Sequence, residues 1–536
     1  MLFNSYAFIF WFLPIVFFGF YCIGRYSHSL AGLWLCAASL FFYGWWDARF
    51  VGLLLSSIVF NYGVGYLIGH GISQSGWGAR RRTKLLLAGG IAANLALLGY
   101  YKYVNFFIEN INMLAGTSLP IGGFFLPLGI SFFTFTQIAF LVDTYQGKVK
   151  EYHFVYYALF VTYFPHLIAG PVLHHKEMMP QFARRETSYI NWDNVAVGFT
   201  IFVIGLAKKL IIADSLADLA LLIFNALKAG ELLKLFEAWA GAIAYTLQLY
   251  FDFSGYSDMA IGLSLMFNVR LPVNFNSPYK ATSIIEFWRR WHLTLSRFMR
   301  DYLYIPLGGN RRGKVQRYLN LMVTMVLGGL WHGAGWTFII WGGLHGFYLM
   351  VNHAWRAIKE RMLWSDGGKW SSLIAGTLTF IAVVVGWVFF RADSISSAIA
   401  MLSAMIGMNG VSLPSQFETV VRHYLPDQSS LVFLGLFPVI VAPGTKVFVI
   451  EFFAFVIVWG APNVRQMFRN YRPVYEDMHG ERNIPGSPPN DRTFMGRVDR
   501  AFIWKLERRY AWAAGVLFAL AILHLSRVTE FIYFQF

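Results

Sequence analysis

The chain has 536 residues, 57% hydrophobic, 18% aromatic and only 13% charged, with a formal net charge of +16. Soluble domains carry roughly 25% charged residues, and a chain this long needs several solvated surfaces. The composition therefore excludes a soluble enzyme, a disordered chain and a fibrous one, and reads as a polytopic membrane protein. In such a protein the Lys and Arg excess marks loops held in the cytoplasm, so no nucleic-acid partner is expected.

From the N-terminus, Tyr6–Gly24 is apolar, with neither a basic segment before it nor a small-residue cleavage site after it. It reads as a first membrane span, not a signal peptide. Further apolar segments occupy 30–46, 50–69, 85–101, 124–142, 153–170, 195–213, 235–267, 318–341, 338–355, 371–390, 431–460 and 510–525. A span needs about 20 apolar residues, so the segments predict about 11–13 spans, some broken, re-entrant or short. Helices are required because lipid leaves no partner for an open backbone. The two cysteines, Cys22 and Cys36, sit in apolar stretches and suggest neither a disulfide framework nor a thiol catalyst.

Positive charge gathers in three places: Arg80–Lys84, residues 271–317, and residues 462–509, whose centre at Ile484–Asn490 is rich in Pro, Gly and Ser. All three are expected on the cytoplasmic face. If 462–509 is inside and 510–525 crosses once, the C-terminal Phe531–Phe536 emerges on the other side. Within the second stretch, Ile284, Trp288, Trp291, Leu295, Phe298 and Tyr302 recur in steps of four and three. That spacing predicts one amphipathic helix over Ile284–Leu303, lying at the membrane interface or packed on the bundle.

Candidate chemistry follows from ionisable groups in apolar surroundings. His332 stands in Gly328-Gly-Leu-Trp-His-Gly333 with no other ionisable group nearby. A titratable residue at membrane depth is costly and is a functional-site hypothesis by default; a neutral histidine bonded to a neighbouring helix is the competing reading. His292 follows Phe287-Trp-Arg-Arg-Trp291 and by itself reads rather as an interfacial histidine among basic neighbours, while His166 and His345 read as core residues. Asp252, Ser254, Ser257 and Asp258 interrupt an apolar run, either lining a polar cavity or bonding where a helix breaks. No histidine shows metal-ligand spacing, and there is no P-loop, dinucleotide fingerprint or nucleophile elbow. The terminal Phe531-Ile-Tyr-Phe-Gln-Phe536 reads first as an aromatic interface belt, and second as a tail folded into the bundle to present the Tyr533 hydroxyl.

Several segments together resemble the membrane-bound O-acyltransferase (MBOAT) family, in particular its bacterial branch that O-acetylates exported polysaccharides such as alginate. The matching runs are Leu126–Ser131, Phe164–Pro171, Tyr250–Gly262, Phe287–His292, Arg300–Ile305, Leu307–Asn310 and Gly328–Gly333. The likeness covers most of residues 1–400. It implies an all-α polytopic bundle around a tunnel, with His332 catalytic, His292 beside it, and acetyl-CoA as donor substrate with no permanently bound cofactor. Arg289, Arg290, Trp288, Trp331, Asp252, Ser254 and Asn310 are the expected substrate-binding groups, and no metal is expected. Residues 1–400 would form the acyltransferase core, 401–461 additional membrane helices, 462–509 a basic cytoplasmic loop, and 510–536 a final span with an extracytoplasmic aromatic end.

The resemblance also implies a C-terminal tyrosine that carries the acyl group, here Tyr533. It implies a bacterial inner-membrane location, a polysaccharide acceptor and a periplasmic acyltransferase partner. A transporter or flippase of a lipid-linked sugar is the competing class. It would suit broken helices and midplane polar groups, but no inverted repeat or distributed set of intramembrane acids is evident.

Overall fold

The computed structural model describes residues 1–73, 77–123, 125–149, 153–362, 368–424, 431–438, 444–475, 501–526 and 531–532. Among these the architecture is helical throughout, save one parallel pair of two-residue strands, Val411–Ser412 and Leu431–Val432.

The first group of helices is α1 (Leu13–Gly24), α2 (His28–Gly44), α3 (Arg49–Ser73), α4 (Trp77–Leu98), α5 (Val104–Ala115), α6 (Ile130–Tyr145), α7 (Phe154–Thr162) and α8 (His175–Ala183). The middle group is α9 (Trp192–Ala207), α10 (Asp214–Lys228), α11 (Leu235–Met266), α12 (Ile284–Trp288), α13 (Leu293–Met299), α14 (Gly313–His332) and α15 (Trp336–Arg361). Then come α16 (Lys369–Arg391), α17 (Ile395–Met405), α18 (Glu418–Tyr424), α19 (Gly444–Gly460), α20 (Val464–Met467) and α21 (Arg508–Leu523).

Five helical segments among the described residues are long and apolar enough to cross a membrane: Ala7–Gly24, Arg49–Ile72, Gly78–Ala115, Trp192–Lys228 and Lys369–Arg391. Their outward faces carry bare apolar side chains such as Trp11, Phe18, Leu85, Trp370 and Leu378, the surface that a bilayer covers. The shortfall against the 11–13 expected spans has a physical origin. Helices such as α2, α19 and α21 are short, while α11, α14 and α15 carry buried polar groups that neighbouring helices cover. Such helices need not meet the length and hydropathy of a lipid-facing span.

The centre of the molecule is α11, 32 residues long and almost wholly buried. Its first half packs into one apolar core with α10, α16 and α17, and its second half into another with α1, α2, α6, α7 and α9. Of the two readings of Asp252, a helix break is not realised; α11 passes through unbroken. Against it, α9 lies backbone to backbone. A Cβ on Gly205 would come 2.5 Å from the Gly255 carbonyl oxygen, and Gly198 and Gly262 meet in the same way one heptad along. Small residues at a helix contact permit this approach where lipid gives no hydrophobic drive to associate. The α14–α15 hairpin is joined likewise at Gly329 and Gly342, which sets the turn that carries His332.

The predicted amphipathic helix is two helices. α12 ends at Trp288, the chain turns through Arg289–Trp291, and His292 takes left-handed φ 45° and ψ 54° before α13 begins. The cause is an extended strand-like neighbour: Asn276 N–H donates to the Arg290 carbonyl at 2.9 Å, and Leu293 N–H to the Asn274 carbonyl at 3.0 Å. These bonds replace intrahelical ones. The predicted face survives the break, since Ile284, Trp291, Leu295 and Phe298 are all buried, and the segment packs inside the bundle.

Candidate active site

His332 is the last residue of α14 and is buried, with its ring among those of Trp331, Trp341 and Phe390 at centroid distances of 4.9, 5.2 and 5.2 Å. The His292 ring lies 6.5 Å away. The left-handed turn at His292 is what brings it there, and Asn274 fixes the imidazole: Nδ1 and Asn274 Oδ1 are 3.0 Å apart. An amide oxygen only accepts, so Nδ1 carries the proton in this bond. Asn274 Oδ1 also accepts from the Thr294 hydroxyl at 2.9 Å.

Two cavities meet at this histidine. The larger, about 340 Å³, is lined by Trp288, Arg289, Met299, Arg300, Tyr304, Asn310, Arg317, Gly328, Trp341 and His353, among others. It follows α14 from Arg317 to His332, about 22 Å at 1.5 Å per residue. Its entrance is cationic and its depth apolar. The smaller, about 60 Å³, is lined by Trp46, Lys102, the segment Leu126–Phe132, Ile168 and Trp331. Among the described residues His332 alone belongs to both linings.

Local structure explains the large cavity's walls. The Leu307-Gly-Gly-Asn310 turn uses positive φ at Gly308 (115°) and Gly309 (53°), conformations that glycine adopts without strain. It returns the chain so that Tyr304 donates its hydroxyl to Asn310 Oδ1 at 2.6 Å. The opposite wall is anchored by a buried polar network absent from the sequence reading. Tyr302 donates to Asp143 at 2.8 Å, His175 Nδ1 lies 3.3 Å from the same carboxylate, and Arg297 pairs with Glu177 at 2.6 Å. The network ties α13 and the turn after it to α6 and α8. Its members share no motif or spacing, and only the fold joins them.

The expected binding residues divide. Trp288, Arg289 and Asn310 line the large cavity and Trp331 the small one. Arg290 lines neither, being held by Glu286 at 2.7 Å and the Asn276 carbonyl at 3.2 Å. Burial pushes the Glu286 carboxyl up, but the Thr282 amide and the Arg290 guanidinium outweigh it and hold the carboxyl below its usual range. The pair thus stays charged. Asp252 and Ser254 are buried on α11 and are not among the residues lining either cavity. Asp252 is 2.6 Å from Lys209, which also pairs with Asp214 at 2.9 Å, and Asp258 is 2.6 Å from Lys208. Both lysines lie on a π-helical turn, Lys208–Ala213, between α9 and α10. His166 is a bonded core residue, its Nε2 donating to the Phe160 carbonyl at 3.0 Å, and His345 is enclosed by Trp288 and Trp341.

The first two residues of the terminal hexapeptide lie inside the bundle. Phe531 and Ile532 are buried; Ile532 N–H donates to Asp252 at 3.1 Å, and the Phe531 ring lies 4.8 Å from the Lys209 ammonium. Tyr533 lies outside the described residues.

A histidine reached from an arginine-lined cavity on one hand and a small pocket on the other is an arrangement that suits acyl transfer inside a membrane protein. Residues 96–364 match the family described as MBOAT, membrane-bound O-acyltransferase family, and the chain belongs to that family. It is 46% identical over 440 residues to the peptidoglycan O-acetyltransferase of Helicobacter pylori, covering 77% of this chain and 81% of that protein. It is 44% identical over 454 residues to the probable alginate O-acetylase of Pseudomonas aeruginosa (81% and 82%), and 44% over 422 to that of Azotobacter vinelandii (77% and 79%). The chain is thus a multi-pass membrane-bound O-acetyltransferase, and the transporter reading falls away.

Proposed function

We propose that this chain moves acetyl groups from cytoplasmic acetyl-CoA across a bacterial inner membrane to an exported polysaccharide such as alginate. The observation that carries the reading is His332 as the common wall of both cavities. The large cavity suits a thioester donor: Arg289, Arg300 and Arg317 at its mouth complement phosphates, and its apolar depth suits the thioester arm. The relatives named for peptidoglycan and alginate acetylation support a polysaccharide acceptor.

In this scheme His332 removes the proton of the acceptor hydroxyl as its oxygen bonds to the thioester carbonyl carbon. The carbon–sulfur bond then breaks, and the proton passes to the departing sulfur, giving free CoA. His292, held by Asn274, orients the thioester or relays the proton. Residues 1–400 act as the acyltransferase core, 401–461 as additional membrane helices, 462–509 as a basic cytoplasmic loop, and 510–536 as a last span whose end is periplasmic. Tyr533 is the first acceptor and hands acetyl to a periplasmic acyltransferase partner. Burial of Phe531 and Ile532 beside α11 supports a tail that enters the bundle.

Complementation of a deletion strain tests this reading. The wild-type chain should restore acetyl esters on the exported polymer, and Tyr533→Phe, which keeps the ring, should not. Unaltered polymer acetylation in Tyr533→Phe would remove the carrier role. Failure of the wild-type chain to restore any ester would remove the polysaccharide reading.

A further inference from the structure

Lys102 is a lysine inside a candidate membrane span, and neither the histidine pair nor the cation-lined mouth accounts for it. It lies in Gly99–Tyr103, a π-helical turn from which Lys102 and Tyr103 both reach α14. Lys102 Nζ donates to the Trp331 carbonyl at 2.5 Å, the His332 carbonyl at 3.1 Å and Ser131 Oγ at 3.3 Å. Next to it, the Tyr103 hydroxyl donates to the Leu330 carbonyl at 2.9 Å.

The three carbonyls are consecutive and lie at the end of α14, among those a helix leaves without an intrahelical acceptor role. They are also the negative pole of the helix, where a cation is favoured. That pole offsets the cost of an ammonium at membrane depth, and two of these carbonyls together with Ser131 Oγ match its three donors. Directly after His332 the chain departs from the helix, with Gly333 extended at φ −158°. A histidine at a helix terminus would otherwise sit on the part of the helix most prone to fray. Here that last turn is pinned from the small-cavity side, since Lys102, Ser131 and His332 all line it.

We propose that Lys102, assisted by Tyr103, is the positioning residue of this enzyme. It fixes the last turn of α14 and so keeps the His332 imidazole on the wall between the two cavities. It acts through His332, and so rests on the reading of His332 as the base.

The test measures initial rates of CoA release from acetyl-CoA by the full-length chain in lipid nanodiscs, with de-O-acetylated polymer and a periplasmic extract supplied as acetyl acceptor, over a range of donor concentrations. Lys102→Met should lower kcat by about 10–100-fold, the cost of a misplaced catalytic group, with KM for acetyl-CoA within about twofold. Lys102→Arg keeps a donor-bearing cation and should recover most of the rate. A Lys102→Met enzyme with kcat within about threefold of wild type overturns the proposal, as does a raised KM at unchanged kcat, which marks a substrate-binding group. If Lys102→Met does not accumulate in membranes, Tyr103→Phe decides. It should lower kcat at constant KM, and an unchanged kcat overturns the proposal. His332→Ala separates the two ideas: full activity there removes the base assignment, whereas an inactive His332→Ala beside a wild-type-like Lys102→Met removes only the positioning role.

Discussion

Replacing His332 by alanine should lower acetyl transfer by about 10²–10⁴-fold, the usual contribution of a general base, while membrane abundance stays at the wild-type level. The ring makes aromatic contacts with Trp331, Trp341 and Phe390, so truncation leaves a gap that those rings can partly close. His332→Gln fills the same space with a polar group of no useful basicity and should be equally inactive. Polymer ester content and CoA release measured on matched membranes check both variants. Activity of either within tenfold of wild type would take the base role from His332 and leave the histidine as packing.

The second large effect concerns stability. Lys209 is buried and lies between Asp252 and Asp214. Removing one member of a buried ion pair strands the other's charge, which costs about 3–5 kcal/mol. Lys209→Met strands two carboxylates, so the chain should lose most of its folded population, seen as low recovery and a lowered Tm after detergent extraction. Asp252→Asn and Asp214→Asn added to Lys209→Met remove the stranded charges and should restore part of the loss. The same ammonium lies under Phe531, and Asp252 accepts from Ile532. Asp252→Asn alone should therefore loosen the tail, read as faster hydrogen exchange at Ile532. A Lys209→Met protein as stable as wild type would contradict the ion cluster's structural role.

The fold class was legible because lipid leaves few choices: low charge and repeated apolar segments admit only a helical bundle. His332 stood out in the sequence through isolation in an apolar span, whereas His292, beside Arg289 and Arg290, stood out only through the family resemblance. The residues that hold them were not. Lys102, in Tyr100-Tyr-Lys-Tyr103, looks like any lysine at a span end that reaches toward water, and its bonds to Trp331 and His332 cross about 230 positions of chain. Asp252 looked like a cavity group because its partner Lys209 comes from a different helix. The single amphipathic helix failed for a subtler reason. Two short helices that bury one common face keep the same apolar spacing as one long helix, and the Asn274 and Asn276 backbone bonds that divide them leave no mark on that spacing. Arg290 likewise reads as a free cation until its i, i+4 partner Glu286 is seen holding it.

In the proposed scheme one histidine serves two cavities, so that acetyl crosses while CoA does not. Proteoliposomes with the Arg289–Arg300 face outward, enclosing de-O-acetylated polymer and a periplasmic extract as acceptor and given doubly labelled acetyl-CoA outside, test this. Acetyl label should appear on the enclosed acceptor and CoA label only outside, with no acetyl label in the lumen for His332→Ala. Acetyl label confined to the outside, or CoA label in the lumen, would contradict it.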